Sequence, residues 1–278
     1  MQGFLRLLWI PLLAFPACGG GEKAAGPPAA GPAVEATEAP AADPGAEAGE
    51  AAGGAEGAAA EEPTSGPGTL AGRVLHRSPP EPASLDLGAK PEHAERCMQA
   101  PDRRSRVFVT GPEGGLANVF VEVRRAGSGW TPAPAPGPSD QVFCRYEPHV
   151  LVVPLGTPVL FKNSDPFMHN VHFYCRKNPA ENFGIPAHGQ KEIEFRFEER
   201  IRVRCDVHPW MDSWVIATDN PFQALTGPDG SFRIEGIPAG EYEVRFWHEG
   251  LGSYRVRKVR IGGGETRLEV DESSGWES

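Results

Sequence analysis

The chain lacks the features that would place it in several large functional classes. Its one amino-terminal apolar run, Leu7 to Phe15, falls short of the ~20 apolar residues that a membrane span requires. No window sustains a helical period, which excludes a helix bundle. There is no Ser-His-Asp set, no paired-carboxylate motif and no phosphate-binding loop, so an enzyme is not expected. The folded part also carries no basic stripe, and nucleic acid is not expected as a partner.

Acidity is present but confined. The formal net charge is -10, yet nine acids stand against Lys23 alone between Glu22 and Glu62, so -8 of it lies there. Residues 19–68 are almost only Ala, Gly, Pro and Glu, which cannot bury enough apolar surface to offset their ordering entropy. This stretch is read as a disordered linker reaching roughly 40 Å, on the usual ~5–6 Å × √n scaling. Before it, Arg6 and the short apolar run read as a signal peptide over residues 1–18. Ala17-Cys18-Gly19 resembles a bacterial lipobox, which implies lipidation of Cys18 and attachment to a membrane; cleavage by ordinary signal peptidase is the alternative. The expected location is extracytoplasmic, in the periplasm or cell envelope.

From Thr69 onward, apolar alternation recurs at Val107 to Val109, Val119 to Val123, Val150 to Val153, Val159 to Phe161 and Ile193 to Phe197, punctuated by Gly and Pro. The fold class is therefore all-β, a sandwich over 69–217 with added strands before its core. Ser78 to Asp102 and Trp130 to Ser139 are read as surface connections, and Cys175 to Gln190 as an insertion. After Ala217 the pattern restarts, with Asp229-Gly230 as a hairpin signal and strands around Tyr242 to His248, Val256 to Ile261 and Thr266 to Val270. Residues 218–278 resemble the small transthyretin-like or carboxypeptidase-regulatory β domains. That segment holds no cysteine and is given a structural role.

The chemistry concentrates in two segments. Ile201, Val203 and Cys205 share one strand face, so Cys205 ends its strand pointing inward. Two residues of turn bring His208 to the same point and two more bring Met211 beneath it. His169 would close the site from a neighbouring strand end. Thiolate, imidazole and thioether at Cys-x2-His-x2-Met spacing are the ligand chemistry of a mononuclear electron-transfer copper site. A structural zinc site would need a second cysteine, and the loop has none. Its single cysteine also disfavours a binuclear copper centre.

Phe167-Met168-His169-Asn170-Val171-His172-Phe173 and Cys205-x2-His208-Pro209-x-Met211 resemble the two ligand segments of cupredoxins, the short loop being most similar to amicyanin. The resemblance covers about 140–217. It implies copper held by His169, Cys205, His208 and Met211, and Asn170 steadying the thiolate and tying the ligand loops together. It further implies His208 as the exposed edge through which electrons pass. Phe167, Pro209 and Trp210 would exclude water, and a redox protein would dock near His208. His172, on the opposite strand face, is not expected to bind metal.

Cys97, Cys144 and Cys175 remain, and three pairings are open. Cys97 with Cys144 is favoured because it would staple the region before the core to the core, leaving Cys175 free and buried. His76, His93, His149, His188 and His248 are taken as surface histidines. The functional reading is single-electron transfer, with a copper carrier and a metal-free surface module as alternatives.

Overall fold

The computed structural model describes residues 66–124 and 136–277. The signal peptide, Cys18, nearly all of the linker and most of the Trp130 to Ser139 stretch lie outside the described residues. The architecture is all-β. Sixteen strands are numbered here in chain order: β1 Gly68–Val74, β2 Phe120–Val123, β3 Ser139–Val142, β4 Arg145–Glu147, β5 Val150–Val153, β6 Val159–Asn163, β7 His169–Tyr174 and β8 Asn182–Ile185. They continue as β9 Gln190–Ile193, β10 Glu199–Arg204, β11 Asp212–Ala217, β12 Gln223–Leu225, β13 Ser231–Ile237, β14 Gly240–His248, β15 Gly252–Ile261 and β16 Glu265–Val270. Among the described residues the one α-helix, α1, is a single turn, Ala94–Cys97. Among the described residues no helix is long and apolar enough to cross a membrane.

Two sheets, ordered β5-β11-β10-β7-β8 and β4-β3-β6-β9, supply the first apolar core. Alternation makes this possible: Ile201 and Val203 of β10 and Val171 and Phe173 of β7 are buried, whereas Arg202 and Tyr174 on the opposite strand faces are exposed. Cys175 to Gln190 is integral to this unit rather than an insertion, since it supplies β8, which pairs with β7 and extends the sheet. Two further sheets, β12-β2-β14-β15 and β13-β1-β16, enclose a second core built on Leu70, Val121, Phe232 and Phe246.

The sheets do not divide at 217/218. β1 pairs antiparallel with β13 and parallel with β16, and β2 lies between β12 and β14. Strands expected to extend the first sandwich therefore complete the second, because apolar alternation identifies a strand without naming its distant partner. The Asp229-Gly230 turn forms, with Gly230 at φ 76° and its N–H donating to Gly227 O at 2.9 Å. It is not a hairpin between neighbours, however: β12 pairs with β2 and β13 with β1. A Cβ on Gly230 would meet Val74 O at 2.2 Å, so β1 packs against the turn itself.

Ser78 to Asp102 is likewise more than a surface connection. Leu87, Cys97 and Ala100 are buried in the first core, and Cys97 forms a disulfide with Cys144. Between the sandwiches, Phe120, Val150, Ile216 and Trp247 form a small apolar cluster. Beside it the buried Glu249 carboxylate accepts from Trp214 Nε1 at 2.8 Å and contacts His149 Nε2. Of the histidines expected at the surface, His76, His149 and His248 are buried and His93 is half-buried, leaving His188 exposed.

Two outcomes test this construction. The disulfide spans 47 residues, so Cys97→Ala/Cys144→Ala should cost about 4 kcal/mol in the chain-entropy account, measured by urea unfolding. A loss under ~1 kcal/mol would mean that Leu87 and its neighbours hold the segment unaided. Burial pushes the His248 pKa down to about 4, against an unfolded value near 6.5. The unfolded chain thus binds a proton in that window that the folded chain refuses. Stability is full above pH 6.5 and falls toward pH 4 with a slope of up to ~1.4 kcal/mol per pH unit. His248→Phe should flatten that slope, and an unchanged slope would locate the acid sensitivity in another group.

Candidate metal centre

The sequence-predicted ligands converge at one end of the first sandwich. β7 opens with His169, β10 ends at Arg204, and the turn from Cys205 to Met211 leads directly into β11. That turn is closed by its own backbone: Cys205 N–H donates to Met211 O at 3.2 Å and Met211 N–H to His208 O at 2.9 Å. His169 Nδ1 lies 3.0 Å from His208 Nδ1, and Cys205 Sγ lies 3.7 Å from the same His208 nitrogen. All three residues are buried, and Met211 is buried in the same apolar cluster.

This spacing fits a metal ion. Nitrogen ligands about 2.0 Å and sulfur about 2.3 Å from a common centre leave neighbouring donor atoms roughly 3–3.6 Å apart. Without an ion, two imidazole Nδ1 atoms facing each other can form at most one hydrogen bond. The Cys97 and Cys144 sulfurs also lie within 4.8 Å of a His208 nitrogen, but bonded to each other they offer no thiolate. The donor set is thus one thiolate and two imidazoles, with a thioether in the same cluster, which is copper chemistry rather than that of a structural zinc site.

The shifts at Cys205 and His208 suit ligation. Burial raises the Cys205 pKa, but hydrogen bonding from His169 and from the N–H groups of Asn170, His208 and Val207 outweighs it and leaves the thiol below its ordinary value. Burial, with the nearby His169 and His93, pushes His208 down to about 3, so its imidazole is neutral near neutral pH. Asn170 bridges the two segments. Its N–H points at Cys205 Sγ at 3.4 Å, and its side-chain Oδ1 accepts from Asp206 N–H at 3.0 Å, joining the two ligand segments. His172 instead pairs with Asp206 at 3.1 Å, on the far strand face.

Asp165 escaped sequence reasoning. Its fully buried carboxylate holds His169 Nε2 at 2.8 Å, which directs Nδ1 into the site. It also accepts from Arg96 Nε at 2.7 Å, Phe143 N–H at 2.9 Å and Cys144 N–H at 2.8 Å. Burial acts to raise its pKa, but these bonds bring it down to about 2. The signal available was an acid four residues before a candidate ligand.

One implied role is overturned. His208 is not an exposed edge: it is 0% exposed, and His93 covers it, with His93 Nδ1 2.9 Å from His208 Nε2. Phe167 stacks on His93, with ring centroids 3.8 Å apart. Trp210 lies edge-on to His208 and donates to Cys144 O at 3.2 Å, while Pro209 and Met168 stand at the surface, Met168 being 54% exposed. Cys175 is half-buried and unpaired, its thiol pushed up to about 12 by burial.

No family model matches the chain, and no curated protein matches it. Among solved structures, the chain is similar to a copper-containing nitrite reductase from Thermus scotoductus SA-01, with 26% identity over 34% of this chain and 25% of that one, at a TM-score of 0.27. It is also similar to a purple cupredoxin from Nitrosopumilus maritimus, with 26% identity over 26% of this chain and 81% of that one, at a TM-score of 0.24. The Cu(I) form of an amicyanin mutant is 19% identical over 35% of this chain and 98% of its own length, at a TM-score of 0.28.

Proposed function

We propose that this chain is an extracytoplasmic electron-transfer protein whose copper is held by His169, Cys205, His208 and Met211. The observation that carries the reading is the convergence of two imidazole Nδ1 atoms and one cysteine sulfur within a buried, hydrogen-bonded frame. Copper bound there would supply one-electron cycling between Cu(II) and Cu(I). The residues do the rest. Asp165 sets the tautomer of His169, Asn170 directs its N–H at the thiolate, and Phe167 and Trp210 pack around His208 and keep water from it. Such a frame lets ligand positions change little as charge changes.

Burial also favours electron transfer over metal delivery. A carrier needs ligands that an acceptor can reach, and His169, Cys205, His208 and Met211 are all enclosed. The second sandwich, read as transthyretin-like, holds its neighbour through Glu249 and the Trp214 and Trp247 contact and serves as scaffold. Attachment through a lipid on Cys18, with the linker as tether, would hold the copper domain near membrane-bound redox partners.

Replacing Cys205 with Ser should abolish the intense thiolate-to-copper absorption of the Cu(II)-loaded protein; a variant that keeps the band would exclude this thiolate as a ligand. Asp165→Asn should weaken copper binding by about 10- to 100-fold, read by competition with a chelator. Unchanged affinity would show that His169 is oriented without its carboxylate.

A further inference from the structure

The segment before the first core is built as a cover over the metal centre. His93, Arg96 and Cys97 stand at i, i+3 and i+4 across one helical turn, so their side chains share a face. Each makes a different bond to the centre's surroundings. His93 reaches His208 Nε2 at 2.9 Å, Arg96 reaches Asp165 at 2.7 Å, and Cys97 is bonded to Cys144. Phe167, two residues before His169, stacks on the outer histidine with ring planes 11° apart. Three unrelated chemistries, a hydrogen bond, a half-buried ion pair and a covalent link, thus fix one ring against His208.

That ring lies between His208 and solvent. His208 has no exposed surface, whereas His93 keeps part of its own and lines a hollow of about 520 Å³ with Phe167, Glu92, Gln99 and His188. We propose that His93 is the outer terminus of the copper centre: it holds His208 with Nδ1 turned inward and is the contact through which a one-electron protein donor exchanges with the site. The inference rests on the copper reading above. In the exchange a one-electron protein donor would lose one electron, which copper held by His169, Cys205, His208 and Met211 would accept. No proton or leaving group moves.

The metal-free protein tests the cover first. Diethyl pyrocarbonate, mapped by mass spectrometry, should modify His93 and spare His208, and His93→Ala should make His208 reactive. Equal modification of His208 in both proteins would overturn the proposal. The copper-loaded protein tests the contact, with a substitution-inert ruthenium ammine as the one-electron probe. His93→Phe keeps a ring against Phe167 but cannot bond His208; it should leave the thiolate-to-copper band in place and slow exchange at least tenfold, whereas His93→Ala should not be slow. Equal rates for the wild type and His93→Phe would show that electrons pass elsewhere. Failure of the wild-type protein to take up copper would instead sink the electron-transfer reading, and the modification map would still decide whether His93 covers His208.

Discussion

A single buried carboxylate organises the centre. An unpaired charge in an apolar interior costs several kcal/mol, so Asp165 can be retained there only with its oxygens fully engaged. Its partners come from three separate stretches: Arg96 of the covering segment, the N–H groups of Phe143 and Cys144 at the disulfide turn, and His169 at the head of β7. Satisfying that charge brings a candidate ligand, a disulfide and a lid into register. It also directs His169 Nδ1 at His208 and Cys205, which is the geometry on which the copper reading depends.

Around that anchor the site is dry by construction. The Cys205 sulfur faces backbone N–H groups, burial favours the neutral form of His208, and aromatic rings from two segments pack around the second imidazole. These are the arrangements expected of a group that must change charge with little movement. Enclosure also means that His208 is covered by His93, whose own ring keeps part of its surface.

The second sandwich enters the same structure through its strands. Because β1 and β2 complete sheets with β13, β14 and β16, the chain leaves the second sandwich, forms the first and then returns. The first unit is thus inserted between parts of the second. Glu249, the Trp214 and Trp247 rings and the cluster around Ile216 then fasten the two along β11, the strand that follows the ligand turn.

What the sequence determined by itself was local. Period-two alternation gives the all-β class and the inward aim of Cys205, and ligand types at short spacing mark His208 and Met211, because each depends on residues within a few positions of one another. The family resemblance pointed to His169 and Asn170, and the count of leftover cysteines to the Cys97 and Cys144 pair that the structure forms. Tertiary structure decided the rest. The pairing of β1 and β2 with C-terminal strands, the burial of His76, His149 and His248, the carboxylate behind His169 and the cover on His208 all join residues far apart in the chain. A histidine in a loop reads as solvated from its neighbours alone. Only packing reveals that His93 stands between His208 and solvent, because burial and hydrogen bonding belong to the folded surface and not to any one stretch of residues.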